Sequence, residues 1–418
     1  MKIAVIGSGI SGLGSSLLLG QKHEVHLFEA DNRLGGHAHT SSIKIGETEA
    51  NVDTGFLVYN DLTYPHLLSL FKYLEVETVA SDMSLSIQAP SLNLEWSGES
   101  LNSVFAQRKN LLNPRFYRLL LDILKFHKKA EFYRDLSRQK KWSIAELLKN
   151  QEYSKELTEW YILPMVAAIW STPEKLMMSF PAETFLTFFL NHKLLQVNDR
   201  PQWKTVKNGS INYVQKIAKK LEHVHLDEAT LKVKRDGSHL RVNTTKGEYL
   251  FDKVVFATHP SLTSKILQTE SSEVKRVLSS FQTIKNTAYL HHDESFMPRS
   301  KKCWASWNVS ANLNTPEEHQ VSLTYYLNRL QPLPTKKNML LTLNPSRIPQ
   351  KSLFQADYNH PKFDQLAIEA QLELPMIQGI DNVFHCGAWT RYGFHEDGLL
   401  SAVNIAKLFG IDTPWRRP

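Results

Sequence analysis

Three glycines near the N-terminus, Gly7, Gly9 and Gly12, have the G-x-G-x-x-G spacing that accommodates a pyrophosphate. They follow a short apolar run, residues 3–6, and precede an apolar stretch with helical character. In such a unit the first glycine allows a tight turn, the second lets phosphate approach the backbone, and the third lets the helix pack on the strand. The pattern predicts a dinucleotide site.

A second predicted strand, residues 24–30 (EVHLFEA), ends in an acid. Glu29 stands where a carboxylate accepts hydrogen bonds from an adenosine ribose, with Ala30 beside it. The N–H groups at the start of the helix, at Ile10 and Ser11, are expected to face the phosphates. A tight strand–helix turn without a ligand is the alternative. The combination of strand, glycines, helix, strand and terminal acid argues against it.

The segment VHLFEADNRLGGH, residues 25–37, resembles the extended fingerprint of flavoproteins in the amine oxidase, phytoene desaturase and protoporphyrinogen oxidase superfamily. Plain NAD dehydrogenases have no such segment. The resemblance implies FAD, held noncovalently because no cysteine or histidine lies in a recognised flavin-linking motif. By the same resemblance, the predicted FAD contacts are Arg33, Gly35, Gly36 and His37; Thr54 and Gly55 near the flavin ring; Thr230 and Leu231 near the adenine; and Ala257 and Thr258 on a returning strand.

The stretch RYGFHEDGLL, residues 391–400, resembles the superfamily's last loop and helix, which lie beneath the flavin. There the helix N-terminus points N–H groups at flavin N1 and the C2 carbonyl, and stabilises the reduced form. The residues implied are Gly387, Ala388, Gly393, Gly398 and Leu399. One departure is clear. Many members carry an acid after the glycine of the last strand, whereas Ala388 and Trp389 follow here, and whether Glu396 or Asp397 substitutes stays open.

His395 and Glu396 lie where the chain is expected to meet the flavin, so they are the predicted acid or base residues. The alternatives are a hydrogen-bonded structural histidine and a glutamate paired with Arg391 or with a helix end. Lys285 is a second candidate, because many amine oxidases place a lysine near flavin N5 through a water. No metal site is predicted. The polar residues at 291–294 would point to opposite faces of a strand.

Length and composition predict the architecture. The 418 residues exceed one ordinary core, and two cysteines exclude a disulfide scaffold or a cysteine-based zinc site. With no bilayer-spanning run and no signal-peptide pattern, the expected location is the cytoplasm. The fold that the resemblance implies is α/β: a discontinuous Rossmann-like FAD-binding domain with an inserted α+β substrate domain, the two-domain architecture of amine oxidases. The predicted FAD domain comprises residues 1–80, 205–262 and 380–418, and the substrate domain comprises residues 81–204 and 263–379, with a helical, basic segment at 108–160.

The basic segment has an uneven charge. Residues 108–141 contain eleven lysines or arginines and three acids, a local formal charge of +8 against +7 for the whole chain. Apolar residues at helical spacing make it amphipathic, which suits an anionic membrane surface such as the inner face of the cytoplasmic membrane. An ordinary solvated helix face is the alternative. Nucleic acid is disfavoured, since no binding fold or aromatic platform accompanies the charge.

Four longer segments extend the resemblance to one subgroup of this superfamily: GAWTRYGFHEDGL, VDTGFLVYNDLTYPHL, FPAETFLTFFLNH and MPRSKKCWASWN. They resemble predicted NAD/FAD-binding, amine-oxidase-like proteins whose genes often sit beside cyclopropane-fatty-acid synthases. The resemblance implies an FAD-dependent oxidoreductase that oxidises or desaturates an apolar fatty-acyl or phospholipid-derived substrate, with a cyclopropane-fatty-acid-synthase-like protein as partner. Three alternatives stay open: an amine oxidase, a redox-neutral flavin isomerase, and a non-catalytic flavoprotein partner of a lipid methyltransferase.

Overall fold

The computed structural model describes residues 1–45, 47–170, 177–195, 201–312 and 320–415. Its strands are β1 (Lys2–Ile6), β2 (Glu24–Phe28), β3 (Thr40–Ile45), β4 (Thr48–Asp53), β5 (Tyr59–Asn60), β6 (Thr78–Ser81), β7 (Leu85–Ala89), β8 (Leu94–Ser97), β9 (Trp203–Val206), β10 (His223–His225), β11 (Thr230–Asp236), β12 (His239–Thr244), β13 (Glu248–Phe251), β14 (Lys253–Phe256), β15 (Leu267–Gln268), β16 (Gln282–His291), β17 (Trp307–Asn312), β18 (Gln320–Tyr326), β19 (Leu340–Leu343), β20 (Phe354–Lys362) and β21 (Val383–His385). Its helices are α1 (Ile10–Leu19), α2 (Pro65–Tyr73), α3 (Leu101–Val104), α4 (Pro114–Lys140), α5 (Ile144–Asn150), α6 (Lys155–Leu157), α7 (Leu163–Trp170), α8 (Ala182–Asn191), α9 (Ile211–Ala218), α10 (Pro260–Ile266), α11 (Ser272–Ser279), α12 (Leu327–Leu330), α13 (Gln365–Ile377) and α14 (His395–Leu408).

A parallel sheet in the order β10-β2-β1-β14-β21 forms the centre of the nucleotide-binding half. Both faces of such a sheet must be covered, so its strands are apolar throughout rather than alternating. In β1, Ile3 and Val5 pack in the main core with α1 and α14. Ala4 and Ile6 point to the other face, where the antiparallel sheet β13-β12-β11-β15 covers them.

The last helix, α14, lies directly against the first helix, α1. Small residues permit this approach: a Cβ on Gly14 would lie 2.9 Å from Leu399 Cδ1, and a Cβ on Gly398 would lie 2.7 Å from Ile10 Cγ2. The contact brings the two ends of the chain together. As a result, the start of α14 lies beside the glycine loop that precedes α1.

A second sheet, in the order β20-β16-β19-β18-β17-β7-β8, is mixed, because β17 and β7 pair in parallel and the other neighbours are antiparallel. Helices α4, α5, α7 and α8 bury a separate core against one end of it. The predicted α/β fold with a Rossmann-like FAD-binding domain and an α+β second domain is confirmed. The exact domain boundaries remain a prediction.

Local sequence explains several helix ends. Helix α2 begins at Pro65, a residue that suits the first helical turn. The basic segment 108–160 is divided into several helices, because Lys141 adopts φ of 53° after α4 and Ser143 caps α5. In the described part of the chain, no helix combines the length and apolarity needed to cross a bilayer.

Candidate active site

A cavity of about 870 Å³ extends from Glu29 at the central sheet to the aromatic residues of the second domain. Sixteen of the predicted site residues line it. They are Gly7, Gly9, Ile10, Ser11, Glu29, Arg33, Gly35, Gly36, His37, Gly55, Ala257, Thr258, Gly387, Ala388, Gly393 and His395.

The carboxylate of Glu29 is fixed at one end of this cavity. One of its oxygens accepts hydrogen bonds from the backbone N–H of Ser8 at 2.9 Å and from the Ser8 hydroxyl at 2.5 Å. The other oxygen accepts from the N–H of Asp31 at 3.0 Å. These bonds orient the acid beside the glycine loop, where a ribose hydroxyl could donate to its remaining lone pairs.

The three glycines of the loop have different local roles. Gly7 has φ of +97°, which favours glycine, and a Cβ on Gly12 would lie only 1.8 Å from the Gly7 carbonyl oxygen. Gly12 therefore serves the packing of α1 on β1, as it does not line the cavity. A Cβ on Gly9 would meet nothing within 4 Å. The open space over Gly9 fits the pyrophosphate of FAD, which needs close approach to the backbone there.

A second glycine pair, Gly35 and Gly36, packs against the same loop. Gly36 has φ of +55°, and a Cβ on it would lie 3.1 Å from Gly9 Cα. The guanidinium of Arg33 donates to the Gly36 carbonyl at 3.0 Å. Gly55 packs equally closely, because its Cβ would lie 2.1 Å from the carbonyl oxygen of His37. Through these close backbone contacts, the segment that contains Arg33 packs against the glycine loop, as the FAD fingerprint implies.

Histidines form much of one cavity wall. His37 has its ring centroid 5.5 Å from that of His360 and 6.2 Å from that of His259. Burial lowers the pKa of His360 to about 4 and holds the pKa of His37 well below its usual value. The wall is therefore polar but uncharged near neutral pH. Sequence analysis identified only His37 of this group, since His259 and His360 lie on distant parts of the chain.

His395 lies at the start of α14 and lines the cavity, as predicted. Its ring stacks on Phe56 with centroids 3.8 Å apart, and its Nε2 lies 2.7 Å from the hydroxyl of Tyr213. Burial lowers its pKa to about 3, so the imidazole is neutral. The position suits a polar contact to the flavin.

Glu396 requires a correction. Its two carboxylate oxygens accept hydrogen bonds from the backbone N–H groups of His66 and Leu67, each at 2.9 Å, and it does not line the cavity. The side chain caps the N-terminus of α2, so the expectation of an acid–base role is wrong. Burial raises its pKa to about 7, against the opposing effect of the two N–H donors.

The missing acid after Gly387 is not replaced from the following helix. The carboxylate of Asp397 accepts from the N–H of Phe394 at 3.0 Å and lies away from the cavity. In the place after Ala388, the buried indole of Trp389 donates to the carbonyl of Thr258 at 3.2 Å. Tryptophan thus joins the last strand segment to the returning strand β14.

Seven further predicted residues lie off the cavity walls: Gly12, Ala30, Thr54, Thr230, Leu231, Gly398 and Leu399. Gly398 and Leu399 pack against α1, and the hydroxyl of Thr54 is held 2.7 Å from that of Tyr358. Leu231 is 57% exposed on the antiparallel sheet. Lys285 is also corrected: its side chain is 65% exposed and pairs with Asp357 at 2.9 Å, so it does not approach a flavin from within the cavity.

The far end of the cavity is aromatic, and we call it the aromatic section: Trp170, Phe188, His192, Tyr392 and Phe394. Phe188 contacts each of the other four rings, with centroids between 3.9 and 6.1 Å away. Among the described residues lining the cavity, the carboxylates are Glu29, Asp31 and Asp357, and none belongs to this section. The described lining of this section is therefore mainly aromatic ring surface.

His192 is the polar residue of the aromatic section, and sequence analysis did not identify it. Its Nδ1 lies 2.9 Å from the carbonyl of Phe188, which fixes the proton on that nitrogen. Burial lowers its pKa to about 4. The Nε2 lone pair is then available as an acceptor or base.

One group of potential metal ligands lies elsewhere. Glu24, His26 and His223 bring three ligand atoms within 4.8 Å of one another on the neighbouring strands β2 and β10. None of the three lines the cavity, so they have no part in the flavin site.

Solved structures share this fold over almost the whole chain. A CLA-producing fatty acid isomerase from P. acnes superposes with a TM-score of 0.71 at 12% identity, covering 97% of this chain and 98% of that one. Cyclohexylamine oxidase from Brevibacterium oxydans IH-35A gives 0.69 at 12% identity, covering 98% and 99%. A putrescine oxidase mutant gives 0.70 at 14%, covering 97% and 98%. No curated protein sequence matches the chain.

The sequence itself matches a family model. The model described as flavin containing amine oxidoreductase matches residues 10–343, well over half of the chain. The FAD assigned from the Arg33 segment and the open space over Gly9 agree with this match. The protein therefore belongs to the flavin-containing amine oxidoreductase family and is an FAD-dependent oxidoreductase that holds its cofactor noncovalently.

Proposed function

We propose that the protein oxidises or desaturates an apolar substrate derived from a fatty acid or phospholipid. The observation that carries the proposal is the aromatic section, which continues from the FAD site and contains no described carboxylate. An acyl chain would gain roughly 0.8 kcal/mol for each CH₂ group buried there. Among the described residues, no carboxylate lines that end of the cavity to pair with a charged ammonium.

The cofactor and the protein side chains have separate roles in this reaction. The glycine loop and the Arg33 segment would hold FAD, and the bound cofactor would supply a two-electron oxidation in which one carbon loses a hydride, its neighbour loses a proton, and a C=C bond joins the two. We assign acceptance of that proton to Nε2 of His192, which is neutral and buried beside Phe188. Oxygen or a quinone would be the final acceptor of the two electrons. The aromatic section excludes water and positions the chain.

Amine oxidation is less well supported. An amine oxidase of this family is expected to hold its amine between two aromatic rings that face the flavin. Phe188 and Phe394 stack directly, with centroids 4.7 Å apart and planes 14° apart, which leaves no space between them. The fold neighbours include two amine oxidases, but at 12% and 14% identity they share the fold alone.

Redox-neutral isomerisation of an unsaturated fatty acid is the second candidate. The aromatic section beside the FAD site suits that substrate class as well, while the CLA-producing fatty acid isomerase, at 12% identity, shares the fold alone. The same base, His192, would then shift a proton without net electron transfer. An association with a cyclopropane-fatty-acid-synthase-like protein, including a non-catalytic supporting role, stays a proposal that rests on the resemblance alone.

An anaerobic titration separates these functions. The purified yellow protein is mixed with bacterial phospholipids that do or do not contain cyclopropane or methyl-branched chains, and flavin absorbance is followed. Bleaching by one lipid class, with a new double bond in the product, supports the proposal. Bleaching by amines alone supports amine oxidation. Conversion of lipid only after the flavin has been chemically reduced supports the isomerase.

A further inference from the structure

Helix α4 has two apolar stripes rather than one. The first, which contains Phe116, Leu119, Ile123 and Phe126, is buried against the second core. The second is exposed on the opposite side of the helix and consists of Tyr117, Leu121, Leu124 and Phe132. Its spacing of four, three and eight residues keeps these side chains in one line. Leu112, just before the helix, is 90% exposed beside the same line.

Cations flank the exposed stripe. Lys125, Lys128 and Lys129 form no salt bridge with a carboxylate among the described residues, and Arg118 acts only at longer range on the carboxylate of Glu156. Asp122 is turned toward the segment before α6, where its carboxylate accepts from the N–H of Ser154 at 3.2 Å, whereas Glu131 is exposed close in sequence to Lys128 and Lys129. A contiguous line of exposed apolar side chains with a rim of charged ones is typical of an interaction surface.

A small cavity of about 210 Å³ lies at the beginning of α4. Lys109 and Arg115 contribute positive charge to its lining. Two nearly buried residues of the lining, Asn110 and Trp160, carry N–H groups with no hydrogen-bond partner among the described residues, at Nδ2 and Nε1. Buried donors need an acceptor, which a bound water or a ligand in the cavity would supply.

The donors around this cavity are cationic side chains, uncharged N–H groups and the positive end of a helix dipole. Arg115 retains guanidinium donors beyond the Nε that bonds to Glu156 at 2.5 Å, and Lys109 donates to the carbonyl of Asn93 at 2.7 Å. The N-terminal N–H groups of the 27-residue helix α4 add a positive dipole end. An oxyanion such as a phosphate diester accepts from all of these groups and donates to none.

We propose that this face, defined by Leu112, the exposed stripe and its flanking cations, docks on an anionic phospholipid bilayer, with a headgroup phosphate in the cavity at the start of α4. The leucines insert at the boundary of headgroups and acyl chains, and the lysines lie at the level of the phosphates. A solvated helix face explains the lysines but not the second leucine stripe. Charge complementarity selects the anionic lipid as occupant.

The docking face is one helix away from the aromatic section. Helix α4 packs along α8, and Phe188 of α8 faces the cavity from the other side. Docking would thus bring the lipid source close to the chamber proposed for an acyl chain. The inference itself rests on the surface and on the small cavity, not on the proposed reaction.

The test is co-sedimentation of the FAD-loaded protein with vesicles of phosphatidylglycerol, compared with vesicles of phosphatidylcholine. Binding is expected only to the anionic vesicles and should fall as salt rises from about 0.05 to about 0.5 M. Substituting Lys125, Lys128 and Lys129 by glutamine should weaken binding about fivefold for each cation removed. Leu112→Ser with Leu121→Ser and Leu124→Ser should weaken it at least tenfold.

Matched variants test the surface and the cavity separately. Leu366→Ser with Leu372→Ser removes exposed leucines from α13, beside Glu369 and Glu373, and should leave vesicle binding unchanged. Asn110→Leu should weaken binding to phosphatidylglycerol without changing flavin content. Its cavity role would also appear as competition by a short-chain phospholipid below its micelle concentration.

Three results would overturn the inference: equal binding to both vesicle types, no binding at low salt, or equal loss of binding in the α13 control. Release of vesicle-bound protein by millimolar inorganic phosphate would indicate a site for a free anion instead. Retention by an acidic protein but not by vesicles would point to a protein partner. None of these assays involves turnover, so failure here is distinguishable from failure of the proposed lipid oxidation.

Discussion

The carboxylate of Glu396 accepts a hydrogen bond from the backbone N–H of Leu67 at 2.9 Å, across 329 residues of sequence. Its second oxygen accepts from the N–H of His66 at the same distance. Two N–H groups at the start of α2 are thus satisfied by a side chain of α14. The contact fixes the FAD-facing helix to the segment that carries Gly55 and Phe56.

Replacing this acid tests an anchoring role against a catalytic one. Glu396→Gln keeps the size of the side chain but offers one acceptor in place of two, so we expect a loss of about 1–3 kcal/mol in the free energy of unfolding. Flavin reduction by substrate should stay within about tenfold of the wild-type rate. Chemical denaturation and stopped-flow reduction measure the two quantities. A large loss of rate at unchanged stability would restore the acid–base role.

Substitutions at Gly9 and at Gly12 should have different effects on the protein. Gly9→Glu places a side chain in open space, so the apoprotein should fold with nearly wild-type stability but purify without flavin, because the carboxylate occupies and repels the pyrophosphate. Gly12→Ala drives a Cβ to 1.8 Å from the Gly7 carbonyl oxygen and should destabilise the fold itself. Absorbance spectra and thermal unfolding separate the two effects. Full flavin occupancy in Gly9→Glu would contradict the placement of the cofactor.

The nucleotide end of the site was predictable because its residues lie within one continuous β-α-β unit. Gly7, Gly9 and Glu29 are placed by local turns and strand ends, and the structure brings them together as the spacing indicates. The fold class followed from the same motif and from the alternation of strand and helix patterns.

The substrate end was not predictable in the same way. Phe188, His192 and Phe394 meet only because α8 and the start of α14 pack across the two domains, and no local pattern distinguishes such aromatics from core residues. The misassignment of Glu396 has the same origin. Its position next to His395 suggested chemistry, whereas its partners, His66 and Leu67, are more than 300 residues away.

His192 gives the sharpest test of the proposed proton transfer. His192→Gln preserves a hydrogen-bonding side chain but removes the base, so flavin reduction by a lipid substrate should slow by about 10²–10⁴-fold at unchanged flavin content. Because burial lowers the pKa of His192 to about 4, the wild-type rate should stay constant from pH 8 down to about pH 5 and fall below that. Phe188→Leu, which keeps the carbonyl partner, is the control and should mainly raise KM. An equal effect on KM in both variants would assign His192 to packing.

His385 should make the protein sensitive to acid. It is buried on β21, stacks on Phe256, and neither ring nitrogen has a partner among the described residues; burial lowers its pKa to about 4. Unfolded histidine titrates near 6.5, so the unfolded chain binds a proton that the folded chain does not, and stability falls as pH drops from about 6.5 toward 4.

Substituting a neutral side chain of similar volume removes this linkage. The free energy of unfolding of His385→Leu, relative to wild type, should rise by about 2 kcal/mol between pH 7.5 and pH 5, because one fewer proton is taken up on unfolding. Urea denaturation of both proteins at the two pH values measures the difference. At pH 7.5 the linkage vanishes, so that comparison isolates any packing change and serves as the internal control. Identical pH dependence in the two proteins would show that His385 is already protonated, and therefore paired, in the folded state.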